Sequence, residues 1–216
     1  VTGVQTCALP ISAPTEGDTS ASIGANADQY TLTFTVSSGT NQVLFASVGI
    51  ASTTRTVTSV IWDEDGAGAG TGTAMTSIGS KRQNDAYVEL FQLVNPATGS
   101  GGLIRVDLSS TGNVRGATGA ILFQNVNQTL PVIGTPTTAG AASTTPSVTV
   151  NTSDTTSHVF AALGYSGTQT FTASGGQTSE WTQSAGGSGT FTGYGGSKSA
   201  ATPGSYTISG TITSDD

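Results

Sequence analysis

Apolar and polar residues alternate along much of this chain with a period of two. Residues 30–36 (YTLTFTV) put Leu32, Phe34 and Val36 on one side and threonines on the other, as in a strand with one buried face. Val43 to Ile50 is a denser apolar run, which predicts a strand covered on both faces. Thr56 to Trp62 is the next strand, and Ala74 to Ile78 resumes the sheet beyond a Gly-rich loop. Ala86 to Ser110 reads as a β-hairpin, its two apolar runs joined by a Pro- and Gly-containing connection from Asn95 to Gly102. In that hairpin Val88, Leu90, Val94, Ile104, Val106 and Leu108 share one face; Tyr87, Glu89, Phe91, Arg105 and Asp107 fall on the other.

Further on, Gly119 to Phe123 is a buried strand, and Thr129 to Ser143, with Pro131 and Pro136, is an irregular crossing. Strands follow at Ser147 to Val150 and His158 to Tyr165. Short Thr/Gly/Ser-rich strands then stand near Phe171, Trp181, Phe191 and Tyr206 to Thr213. No stretch has a helical period. Short, regularly spaced strands predict an all-β, antiparallel β-sandwich in a single domain. Val88, Leu90, Ile104, Val106, Ile121 and Phe123 are its expected core.

Composition narrows the picture. Only 9% of the 216 residues are charged, against about 25% in an average domain, and Ser, Thr, Gly and Asn supply the polarity instead. The net charge of −7, with six Lys and Arg in all, argues against nucleic acid as a partner, because phosphate contacts need clustered cations. No apolar run approaches the ~20 residues of a membrane-spanning helix.

Two resemblances follow. Residues 1–11 (VTGVQTCALPI) resemble a translated sequencing adapter throughout, so the segment is expected to lie outside the core. Cys7, the one cysteine, is accordingly left out of any redox or catalytic argument. Residues 12–26 are a linker or weak first strand, and 27–216 the sandwich domain. Three segments, VTSVIWDEDG with TAMTSIGS, VELFQLVNPATGSGGLIRVDLS, and GAILFQNVNQTLPVIGT, resemble a family of bacterial secreted and cell-surface sandwich modules. The resemblance implies a jelly-roll-like fold, an extracellular or cell-surface location, and one more strand after the Thr-rich stretch. It implies no active-site residue. A missing last strand would leave an open sheet edge to which another chain adds a strand.

Candidate chemistry is sparse. Asp63, Glu64 and Asp65 could offer oxygens to calcium, although their spacing is not that of an EF-hand loop and a solvated turn is the plainer reading. Apart from calcium no cofactor is expected. His158 stands alone, without the G-x-S-x-G of a serine hydrolase, and reads as an ordinary strand residue. Glu89 with Asp107 or Glu180 has the makings of a carboxylate pair, but Arg105 on the same expected face makes ion pairing the simpler account. Tyr87, Glu89, Phe91 and Arg105 form the candidate ligand surface. With Trp62, Trp181, Tyr165 and Tyr194 their rings are the material of a sugar platform. The function expected is a non-catalytic structural, adhesive or binding module of a larger bacterial exoprotein, whose partner is a glycan or another protein. The alternatives are a carbohydrate-binding module and a viral or appendage subunit.

Overall fold

A computed structural model describes residues 2–8, 10–16, 21–67, 72–110, 112–133, 135–140, 143–167, 169–185 and 190–213. The first strands in chain order are β1 (Thr2–Ala8), β2 (Pro10–Glu16), β3 (Ala21–Ala27), β4 (Gln29–Val36), β5 (Val43–Ala51) and β6 (Val57–Asp63). Then come β7 (Thr73–Ala74), β8 (Thr76–Gln83), β9 (Ala86–Val94), β10 (Gly99–Leu108), β11 (Val114–Val126) and β12 (Thr137–Gly140). The last six are β13 (Ser147–Thr152), β14 (Ser157–Ser166), β15 (Phe171–Ser174), β16 (Thr178–Ala185), β17 (Phe191–Ala200) and β18 (Gly204–Ile212).

All described pairings are antiparallel, in four sheets. Sheet I has the order β4-β10-β6-β7, and sheet II the order β2-β11-β5-β9-β8, with β3 also pairing β11. Sheet III is β12-β1-β14-β17-β16, and sheet IV is β13-β18-β15. The predicted antiparallel sandwich is thus present, but as a stack of four sheets. One core joins Leu32, Trp62 and Ile104 of sheet I to Leu44 and Leu122 of sheet II. A second joins Phe45, Leu90 and Phe123 of sheet II to Phe160 and Phe191 of sheet III. A third joins Val159 and Tyr194 of sheet III to Val148 and Ile208 of sheet IV.

This layering explains the strand patterns. Outer strands β4 and β13 alternate between exposed and buried residues, whereas β5, in the twice-covered sheet II, is buried at eight consecutive positions. All six expected core residues are at most 1% exposed, divided between the first two cores. Glycines let sheets II and III approach closely. A Cβ at Gly49 or at Gly164 would lie 2.5 Å from the Phe191 ring, and one at Gly119 would lie 2.0 Å from the Trp181 indole.

Pairing in the first half of the chain is nested: β3 with β11, β4 with β10, β5 with β9, and β6 with β7 innermost. This order corrects the expected 86–110 hairpin. β9 pairs β5 and β8 in sheet II, while β10 pairs β4 and β6 in sheet I, so the connection between them crosses from one sheet to the other.

Three further segments differ from expectation. The 12–26 stretch carries most of β2 and β3, both laid against β11. The adapter-like segment does not stand apart from the fold. Its β1 lies between β12 and β14, and Thr2 to Ala8 pair with Gly164 to His158. The crossing at 129–143 contains β12. At the other end β18 is interior to sheet IV, flanked by β13 and β15.

Candidate functional site

The candidate ligand residues do not converge. Tyr87 and Phe91 belong to the first core, on the side of sheet II that faces sheet I, while Val88 and Leu90 face sheet III. Glu89 projects to the Tyr87 side. There its Oε2 accepts a hydrogen bond from the Tyr87 hydroxyl and its Oε1 one from Ser77 Oγ, each at 2.6 Å. The Arg82 guanidinium lies 4.5 Å from the Tyr87 ring centroid and donates to the carbonyls of Ser52 and Arg55. Burial, reinforced by the Glu89 hydrogen bond, pushes the Tyr87 phenol up to about 12. These contacts keep the phenol neutral and the carboxylate satisfied, which is the arrangement of a structural polar knot.

Arg105 lies elsewhere. Ile104 and Val106 fill the first core, so Arg105 points to the outer face of sheet I, 4.0 Å from Asp63, with both side chains buried. Asp107 shares that outer face and accepts from Ser59 and Gln29. Burial raises its carboxyl pKa, but those two hydrogen bonds and the Arg105 charge outweigh that and hold it below its ordinary value. The expectation that Glu89 and Asp107 face the same way is therefore corrected: they belong to different sheets and opposite sides.

The acidic loop is divided as well. Asp63 lies beside Arg105 on the outer face of sheet I, and Asp65 Oδ1 accepts the Ala67 N–H at 2.9 Å, closing a local turn. Among the described residues no three His, Cys, Asp or Glu side chains are placed to hold one metal ion, so Asp63, Glu64 and Asp65 do not converge as a calcium set. Residues 68–71 of that loop lie outside the described residues. The His158 ring packs against Phe123, with centroids 4.8 Å apart.

The expected sugar platform is also corrected. Trp62, Tyr87, Phe91, Tyr165, Trp181 and Tyr194 are all at most 7% exposed. Trp62 Nε1 donates to the Ala97 carbonyl at 2.9 Å and the Tyr165 hydroxyl to the Gln169 carbonyl at 2.7 Å, so their polar ends are used internally too. The physical reason is the four-layer stack: faces that would be outward in a two-sheet sandwich are inward here.

Two open grooves among the described residues are lined mainly by polar side chains. A groove of about 590 Å³ runs past Gln83, Asp85, Ser166 and Gln169, and one of about 350 Å³ past Asp28, Gln29 and Asp107. The outer face of sheet IV displays Ser147, Thr149 and Asn151 of β13 beside Ser205, Thr207 and Ser209 of β18. The sequence signal for this face is the alternation in SVTVN and SYTISGT.

No family model matches the chain, and neither curated proteins nor solved structures give a match. The reading of function therefore rests on the residues themselves. No helix among the described residues is long and apolar enough to cross a membrane.

Proposed function

We propose that the chain is a non-catalytic structural or adhesive module of a larger extracellular bacterial protein, wound in the jelly-roll-like manner that the surface-module resemblance implies. One observation carries this reading: side chains capable of chemistry are committed to internal contacts. Glu89 is clamped by Tyr87 and Ser77, Asp63 is paired with Arg105, and six large aromatic rings are in cores. The nested pairing of β3 to β6 with β11, β10, β9 and β7 supports the winding, since a long hairpin rolled across two sheets produces that order. A composition poor in charge and rich in Ser and Thr is in keeping with the extracellular setting that the resemblance implies.

Two measurements test the proposal. Sequencing outward from the coding region should find secretion or surface-attachment signals and further β-rich modules in the same frame; a solitary cytosolic frame would overturn the reading. A panel of glycoside, ester and peptide substrates should show no turnover by the purified chain. Turnover that is lost in a folded Glu89→Gln variant would assign a catalytic role to Glu89 and overturn the non-catalytic reading.

A further inference from the structure

The edges of the four sheets are closed unevenly. An edge strand turns every second backbone N–H and C=O away from its partner, and charge, proline, a bulge or shortness spoils it as a template for pairing. β8 carries Lys81 and Arg82 and breaks register with β9 between Ser77 and Gly79. β16 carries Glu180 and breaks register with β17 between Ser179 and Trp181. β2 contains Pro10 and Pro14, and β7, β12 and β15 are two to four residues long. β3 is packed against β16, and β13, six residues long, follows directly on Pro146.

β4 has none of these devices. Its eight residues, QYTLTFTV, hold no charge and no proline, and they pair with β10 without a break from Gln29 to Phe34. Among the described residues no strand pairs its other edge. Thr31, Thr33 and Thr35 are exposed, while Tyr30, Leu32, Phe34 and Val36 are buried in the first core. That burial fixes which face of the strand is inward, and so fixes the edge in place.

We propose that the free edge of β4 pairs antiparallel with β4 of a second copy of the chain, about a two-fold axis through Thr33. The inference goes beyond the structural-module reading and does not depend on where the chain works. Residues directly opposite in an antiparallel pair point to the same face, so the axis passes through a residue and not between two. Centred on Thr33, it sets Thr33 against Thr33 and Thr31 against Thr35 on the outer side, and Leu32 against Phe34 and Tyr30 against Val36 on the inner side. Threonine pairs and aromatic–aliphatic pairs of this kind stabilise a ladder. Asp28 falls opposite the uncharged Ser38, so no like charges meet across the new ladder although each copy carries −7. Centred on Leu32 instead, the axis would set Asp28 against Val36 and break the outer threonine pairing with Gln29 against Thr35.

The occupant follows from this self-complementarity. A foreign strand would need the same alternation and the same lack of charge, whereas a second copy supplies both, and an isologous pair closes on itself. The axis stands perpendicular to the sheet, so both copies keep sheet II on one side, and their sheets I join as four strands from each. A contact roughly 27 Å long and two layers deep, layers being ~10 Å apart, is smaller than the ~800 Å² per partner of a standard interface, so the dimer is weak and depends on concentration.

Sedimentation equilibrium of the full chain tests this. The parent should pass from monomer to dimer with a dissociation constant of roughly 0.01–1 mM. Thr33→Lys sets two ammonium groups against each other on the axis and should weaken association roughly tenfold or more. Thr31→Lys/Thr35→Glu sets lysine against glutamate twice and should keep the dimer, whereas Thr31→Lys/Thr35→Lys should dissociate it. Thr149→Lys on β13 should leave association unchanged. Hydrogen exchange on the unsubstituted chain needs no variant to fold: every second amide of β4 should gain protection as concentration rises. The proposal is overturned if the chain is monomeric at ~1 mM, if Thr33→Lys associates like the parent, or if the two charge-paired variants behave alike. Loss of the dimer in Thr149→Lys, or protection gained on another strand and not on β4, would overturn it as well. None of these outcomes touches the substrate panel or the gene context, so the broader reading stands or falls separately.

Discussion

The close approach of sheets II and III at Phe191 gives a quantitative prediction. Gly49→Ala places a methyl 2.5 Å from Cε1 and Cζ of a ring that is fully buried, well inside the ~3.5–4.0 Å of ordinary carbon–carbon contact. The ring cannot simply swing away, because its other flank meets Gly164, where a Cβ would also lie 2.5 Å from it. Overpacking of this kind costs about 1–3 kcal/mol. Against it, Gly→Ala lowers the entropy of the unfolded chain, worth about 0.4–1 kcal/mol where the backbone is compatible. Gly49 is not among the glycines with positive φ, so that gain applies. The balance is a loss of roughly 0.5–2 kcal/mol.

Phe191→Leu shortens the side chain and by itself costs about 1–2 kcal/mol, less than the 3–5 kcal/mol typical of Phe→Ala. Combined, the two changes relieve each other, because the new methyl occupies space the ring has left. The double variant should be more stable than the sum of the singles predicts, by at least ~0.5 kcal/mol. Urea unfolding of the four proteins measures this, read as midpoint shifts at constant m-value. A Gly49→Ala protein at least as stable as the parent, or strict additivity in the double variant, would refute the close-contact argument.

Leu90→Ala, in the second core, should cost ~2–5 kcal/mol; a loss under ~0.5 kcal/mol would remove Leu90 from that core. Deleting Val1 to Ile11 uncovers the backbone of β14 opposite β17 and should lower the melting temperature by several degrees, whereas an unchanged value would return the segment to the place outside the core that its adapter-like sequence implies. Burial raises the pKa of Tyr30 and Tyr194, and carries Tyr87 and Tyr165 to about 12. Folding favours the neutral phenol, so this contribution to stability is complete below the ordinary tyrosine value of ~10 and is lost as pH rises through about 12. Phenolate absorbance followed beside the melting temperature checks it, and phenols that all ionise near ~10 with stability unaltered would contradict it.

Much of the strand structure was legible because side-chain alternation is local. β4, β13 and the doubly buried β5 follow directly from YTLTFTV, SVTVNT and VLFASVGI. Partner choice was not legible. Alternation says which residues of β9 share a face, but it is silent on whether β10 returns beside β9 or crosses to the facing sheet, and the Pro- and Gly-containing connection suits both. The candidate site failed for the same reason. Tyr87, Glu89 and Phe91 share a face, as read, yet a second sheet covers that face, and Arg105 sits on a strand that left for sheet I. The layer count could not be read from spacing, and it decides whether an aromatic ring meets solvent or a core.

The nested pairing also bears on how the chain reaches its native state. β8 and β9 are joined by the short Asn84–Asp85 turn and are neighbours at once. When β5 has docked on β9, the ends of β4 and β10 are brought near through the connections 37–42 and 95–98, and β3 with β11 follows in the same manner. The entropy of closing a loop depends on the free chain remaining, so each pair formed shortens the effective loop for the next. Sheets I and II therefore grow outward from the middle of their sequence, despite contacts that look remote in residue number. β1 gains nothing from this order. Its partners β12 and β14 both lie in the far half of the chain, so during synthesis it has no partner strand until residue 140 has emerged and is not flanked on both sides until residue 166, after every strand of sheets I and II.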